Sequence, residues 1–230
     1  MYLGKSSIVS NRPKKERVGY NISEGKVFQY DGLHEKAIEM YDRALEFDPD
    51  NAVALAAKGN CLRKLNMNEE AIQCFDKLVS LDEQTSDSWV IRGCCLVDLG
   101  QNGEALASFK KAIAVNKTSF RAWKAMGLVL MTDSAQEALE CFEQAEGYGS
   151  YDIMAGVCKA RCLLMLGRAL ETVDCCQRLL NIGGGKNMDI WQLIGEAFSQ
   201  LGQQKIAERA FEKAFCLSNQ DLMSCEYSGN

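Results

Sequence analysis

The sequence predicts an all-α fold, a right-handed α-α superhelix (solenoid) of about six tandem helix-turn-helix units. Three observations predict it. Gly25, Gly59, Gly93 and Gly127 stand 34 residues apart, Ala37, Ala71 and Ala105 keep the same step, and Gly195 with Ala207 rejoins it. An alanine, an aromatic residue and a small residue recur at steps of four and three. They are Ala37, Tyr41, Ala44; Ala105, Phe109, Ala112; Ala138, Phe142, Ala145; and Ala207, Phe211, Ala214. That spacing places each set on one helix face. The stretch from Asn21 to Asp48 divides at Asp31 and Gly32 into two helically patterned segments, and Pro49 stops the second. A unit of this length cannot bury its own apolar face, so neighbours must stack to make a core.

In chain order, a basic N-terminal leader is expected over 1–17, with Lys5, Arg12, Lys14, Lys15 and Arg17. The array is expected over 18–221, with units beginning near 18, 52, 86, 120, 153 and 188, each a pair of helices roughly 20 Å long. A Gly in each first helix marks a close crossing of two helices, where a larger side chain would force them apart. The fourth unit is one residue short. The fifth replaces the motif Gly, Ala and aromatic by Ala160, Thr172 and Cys176. Gly183, Gly184, Gly185 and Lys186 restore the register and supply backbone freedom for a hinge. A phosphate-binding loop needs an upstream glycine and a hydroxyl residue after the lysine, and both are missing. The last helix is expected to end near Leu217. A tail over 222–230 follows, in which Leu222, Met223 and Tyr227 form at most a short covering turn.

With Trp89, Trp123 and Trp191 early in their first helices, these residues resemble the tetratricopeptide repeat family over nearly the whole chain. The resemblance implies that the first helices line a concave groove and the second helices form its outer wall. It also implies a non-catalytic scaffold that binds a peptide or helix of a partner protein. Counting from the motif glycines, the candidate groove residues are Asn60, Arg63, Val90, Ile91, Cys94, Arg121, Lys124, Leu128, Met131, Val157 and Arg161. Val90, Ile91, Leu128 and Met131 are read as apolar contacts. Arg63, Arg121, Lys124 and Arg161 are read as basic edges that favour an acidic ligand. Chaperone adapters of the family hold a carboxylate with Lys and Asn, but Ala56 and Ile91 occupy two of those positions. Glycosyltransferases of the family use a groove asparagine ladder, where this chain has Ser23, Ala57, Ile91, Ala125, Cys158 and Leu193.

The net charge of -5 argues against nucleic acid, whose phosphates are met by clustered Lys and Arg. Neither a secretion signal nor an apolar stretch of membrane-spanning length is evident, so a soluble, cytoplasmic protein is expected, with no membrane partner. The 11 cysteines lack the spacing of a disulfide framework or zinc ribbon. Cys61, Cys95 and Cys162 share one register position and Cys74, Cys141 and Cys175 another, as buried packing thiols would. No metal, cofactor or catalytic residue is predicted. His34, the one histidine, reads as a solvated turn residue. A reactive pocket of Cys158, Cys162, Cys176 and Arg161 is the enzyme alternative. A homo-oligomer, associating through a thinly capped C-terminal unit that exposes Ile206 and Phe215, is the alternative to the scaffold reading.

Overall fold

The computed structural model of the chain describes residues 13–81, 86–149 and 152–227, with side chains described up to Ser218. Among these residues there are twelve α-helices and no strand. They divide into two compact parts, Met1–Lys117 and Thr118–Asn230. The first part holds α1 (Lys14–Tyr30), α2 (His34–Phe47), α3 (Ala52–Lys64), α4 (Asn68–Leu81), α5 (Ser86–Asp98) and α6 (Asn102–Val115). The second holds α7 (Phe120–Leu130), α8 (Ala135–Tyr148), α9 (Ile153–Met165), α10 (Ala169–Asn181), α11 (Met188–Gln200) and α12 (Gln204–Tyr227).

Odd-numbered helices are the first of each pair and even-numbered ones the second. The connection inside each pair is a turn of three or four residues, so the second helix must run back along the first. Gly32, Gly100, Gly167 and Gly202 take positive φ in these turns, and Asn66 does the same at φ 60°. Side chains cap several first helices: Asn51 accepts from the Ala54 N–H at 3.1 Å, Asp152 from Met154 at 2.9 Å, and Asn187 from Asp189 at 2.9 Å.

The reason for the glycine repeat is visible at Gly59. A Cβ placed there would stand 2.8 Å from the ring of Phe75, inside contact distance, so the aromatic of the second helix occupies the space a side chain would need. Gly25 stands in the same relation to Tyr41. Tyr41, Phe75, Phe109 and Phe142 are consequently 0–1% exposed. Packing continues from pair to pair. In the first part, Tyr41 shares a core cluster with Cys61 of α3, and Phe75 shares one with Cys95 of α5. In the second, a larger cluster joins Phe142, Cys162, Leu179 and Ile190. Full burial of one such side chain stabilises by about 1.5–3 kcal/mol.

Acidic and basic side chains follow the same register. Lys58 of α3 meets Asp42 of α2 at 2.6 Å, Arg92 of α5 meets Asp76 of α4, and Lys159 of α9 meets Glu143 of α8 at 4.0 Å. Each pair ties a first helix to the second helix before it.

Both ends differ from expectation. The leader was expected over 1–17, but α1 starts at Lys14, after Pro13, which suits a helix start. Its first turn is held by Val18, which is buried, and by Arg17, whose guanidinium lies 5.3 Å from the centre of the Phe47 ring. Lys5 and Arg12 lie outside the described residues. The last helix was expected to end near Leu217, yet α12 runs 24 residues to Tyr227. No Gly or Pro occurs between Gln204 and Tyr227 to stop it. The side chains of Leu222, Met223 and Tyr227, expected in a covering turn, lie outside the described ones.

Candidate partner-binding faces

In the first compact part, the first helices α1, α3 and α5 bound an open cleft of about 430 Å³. Ala52, Val53, Ala56, Ala57 and Asn60 of α3 form its floor, and Gln29 of α1, Leu78 of α4 and Ser88 of α5 line the rest. Small floor residues are what make the cleft, because larger side chains at 56 and 57 would fill it. Gln29 is held in place by the Tyr41 hydroxyl, which donates to its Oε1 at 2.8 Å. Asn60 is half-buried, and no hydrogen bond of its amide is seen among the described residues. Arg63 is half-buried with its Nε enclosed and unpartnered. Ile91 is half-buried against the core, and Cys94 is half-buried.

Val90 must be corrected: at 2% exposure it belongs to the core and offers almost no surface for contact. Gln29, by contrast, was missed. It stands four residues after Gly25, as Arg63 does after Gly59, and extending the periodic count into the first pair finds it.

In the second part, the first helices are α7, α9 and α11. Leu128 on α7 is 47% exposed, Met131 is half-buried against the core, and Arg121 is exposed. Val157 repeats the correction made for Val90, being 3% exposed inside the main cluster. Two basic residues come with acids of their own. Lys124 Nζ lies 2.6 Å from Asp152 Oδ2 and over the Phe120 ring, and Arg161 lies 3.7 Å from Asp189. Burial tends to raise the Asp152 pKa, but the Lys124 ammonium and the N–H groups of Ala155 and Met154 outweigh it and hold the carboxyl below its usual range. Both acids sit at or near the start of the following first helix, where negative charge is also favoured by the helix dipole. The sequence counting missed them because it followed the motif glycines and not the caps. Exposed Met154 and Met165 add flexible apolar surface on α9.

The thiols of the alternative reactive pocket are mostly enclosed. Cys162 and Cys176 are 0% exposed, and burial pushes their pKa up to about 11 and about 12. Cys158, half-buried beside Arg161, is also raised, by burial first. Such thiols are packing groups and hold little thiolate near neutral pH. Cys61 and Cys95 are equally buried, with pKa values pushed up to about 11 by burial. Among the described residues no group of three or more His, Cys, Asp or Glu is placed to hold a metal ion. His34 was expected as a solvated turn residue, but it opens α2 and is half-buried.

The glycine loop is likewise no open hinge. Gly184–Lys186 forms a 3₁₀ turn in which Gly184 is buried, 2.7 Å from the Leu179 carbonyl oxygen at its Cβ position. Trp191 Nε1 donates to the Gly185 carbonyl at 3.0 Å and ties the loop to α11. No helix among the described residues is long and apolar enough to cross a membrane.

Tandem antiparallel helix pairs, a 34-residue step and an apolar-floored inner cleft define an α-helical repeat protein. A family model described as anaphase-promoting complex, cyclosome, subunit 3 matches residues 31–112, and one described as tetratricopeptide repeat matches residues 189–221. No curated protein sequence matches the chain. Among solved structures it is similar to Pseudomonas aeruginosa PilF, at 19% identity, covering 95% of this chain and 96% of that one, with TM-score 0.74. It is also similar to a tetratricopeptide repeat protein of Parabacteroides merdae, at 18% identity, 87% and 80% coverage, and TM-score 0.72. A third is YrrB, described as a tetratricopeptide repeat protein with an unusual peptide-binding site, at 19% identity, 91% coverage of both chains and TM-score 0.51. These likenesses show the fold. The two family models and the shared fold support a tetratricopeptide repeat family. That family's fold is in general a non-catalytic scaffold.

Proposed function

We propose that this protein is a non-catalytic interaction scaffold that holds a peptide or helix of another protein on its first helices. The observation that carries the proposal is the cleft bounded by α1, α3 and α5, with an alanine floor and an Asn60 amide free to bond a peptide backbone. Leu128, Met131 and Arg161 offer a second contact face in the other compact part. Apolar anchors set the lifetime of such a complex, and charges at its rim set orientation and association rate. An acidic ligand is favoured by Arg63 more than by Lys124 and Arg161, which already hold Asp152 and Asp189. The printed description of YrrB, a relative in fold, supports the peptide reading without deciding it. Buried thiols used as packing groups support a reducing, cytoplasmic setting.

An array of defined peptides, acidic, neutral and basic, screened against the chain and against Ala57→Arg tests the proposal. The expected outcome is a subset of binders weakened at least about tenfold by Ala57→Arg, with the wild-type circular dichroism retained. Equal binding by both proteins defeats the cleft as the site.

A further inference from the structure

The last helix breaks a rule that the first four pairs keep. Tyr41, Phe75, Phe109 and Phe142 are 0–1% exposed, but Phe211, at the same register position on α12, is 37% exposed. Phe215, one turn on, is 66% exposed. In earlier pairs the aromatic shares its core with a thiol of the following first helix, as Tyr41 does with Cys61 and Phe75 with Cys95. No following helix covers Phe211 among the described residues. The chain does not turn back after Phe215, because α12 continues as helix to Tyr227.

The charge on this face says what kind of helix would cover it. Glu212 holds the register position of Asp42 and Asp76, which take Lys58 and Arg92 from the following first helix. It also matches Glu143, which lies 4.0 Å from a Lys159 held more closely by Glu146, whereas the third pair has Lys110 there. Glu208 holds the position of Ile38, Ile72 and Leu139, which are apolar inter-pair contacts. Glu208, Phe211, Glu212 and Phe215 therefore share one helix face, at steps of three, four and seven, and the two acids are exposed. Both acids lie on one side of the two phenylalanines, and the exposed Lys205 and Arg209 lie beyond them on that side. A second copy of α12 laid on it with Glu208 and Glu212 facing their own kind would be disfavoured by like charge.

We propose that this face of α12 docks a basic amphipathic helix of another protein, seated where the first helix of a further repeat would lie. Small residues on the incoming helix face the Phe211 ring, and lysines or arginines on its flanks meet Glu208 and Glu212. This surface is separate from the first-helix cleft, so Ala57→Arg leaves its binding unchanged.

Two synthetic amphipathic peptides of about 18 residues, five helical turns, test the proposal. They share one alanine-rich apolar stripe and differ only in flanking residues, lysine in one and glutamate in the other. Fluorescence anisotropy against the full chain should show the lysine peptide binding at least about tenfold more tightly. Glu208→Lys with Glu212→Lys should reverse the order, and Phe215→Glu should remove binding of both. All three positions are exposed, so the variants should keep the wild-type circular dichroism. Equal affinity for the two peptides, or indifference to Phe215→Glu, overturns the proposal. So does a concentration-dependent dimer in sedimentation equilibrium that Phe215→Glu dissolves, since the occupant would then be a second copy.

Discussion

The second and fifth pairs build the same crossing from different residues. Between α3 and α4 the helices meet with Gly59 against the ring of Phe75. Between α9 and α10 the same positions hold Ala160 and Cys176, both 0% exposed, so one side chain has grown and the other has shrunk. The closest approach has moved one turn along, to Gly156, where an added Cβ would collide with Leu179. What the repeat demands is a filled crossing, and the residues that fill it are free to change, with Leu179 taking part in the fifth pair. Protein interiors are dense enough that neither a surplus nor a deficit is absorbed without loss.

The sharpest way to break this comparison is to force the second pair's aromatic into the fifth. Cys176→Phe alone overfills the crossing and should destabilise by about 1–3 kcal/mol in urea unfolding. Adding Ala160→Gly should recover a large part of that loss, giving a coupling of at least about 1 kcal/mol in the double-mutant cycle. Strict additivity would show that the two positions do not share one space.

A smaller effect separates the pairs by charge. Asp152 caps α9 and holds Lys124, and its depressed pKa means that its folded form favours the carboxylate. Its contribution is present above the usual carboxylate range and lost as pH falls through the lowered folded value. Asp152→Asn keeps a capping oxygen but removes the charge. The variant should therefore be less stable than the wild type at pH 7 and should lose less stability on going to pH 3. The difference should be under about 1 kcal/mol, because the pair is partly solvated. An unchanged acid limb in the variant would remove Asp152 from the account.

Legibility from sequence followed the same division. The motif glycines and aromatics announced the helix pairs because steric fit repeats at a fixed step, and Gly25 with Tyr41 met as their spacing implied. The ends were less legible, since the start at Lys14 rests on Arg17 finding Phe47 in space, and the reach of α12 depends on what does not stop it. The candidate site was read with the correct helices but an imperfect face. Val90 and Val157 sit on the boundary of the inner face, where a one-position rotation of the helix decides between core and solvent. Lys124 and Arg161 read as open basic edges because their acids, Asp152 and Asp189, lie 28 residues further along the chain in each case.

Amide chemical-shift mapping with an array-selected peptide tests the scaffold reading most directly. The account predicts perturbations gathered at Gln29, Ala56, Asn60 and Ile91 on the first helices of the first compact part. Perturbations confined to the second helices α2 and α4 would contradict it.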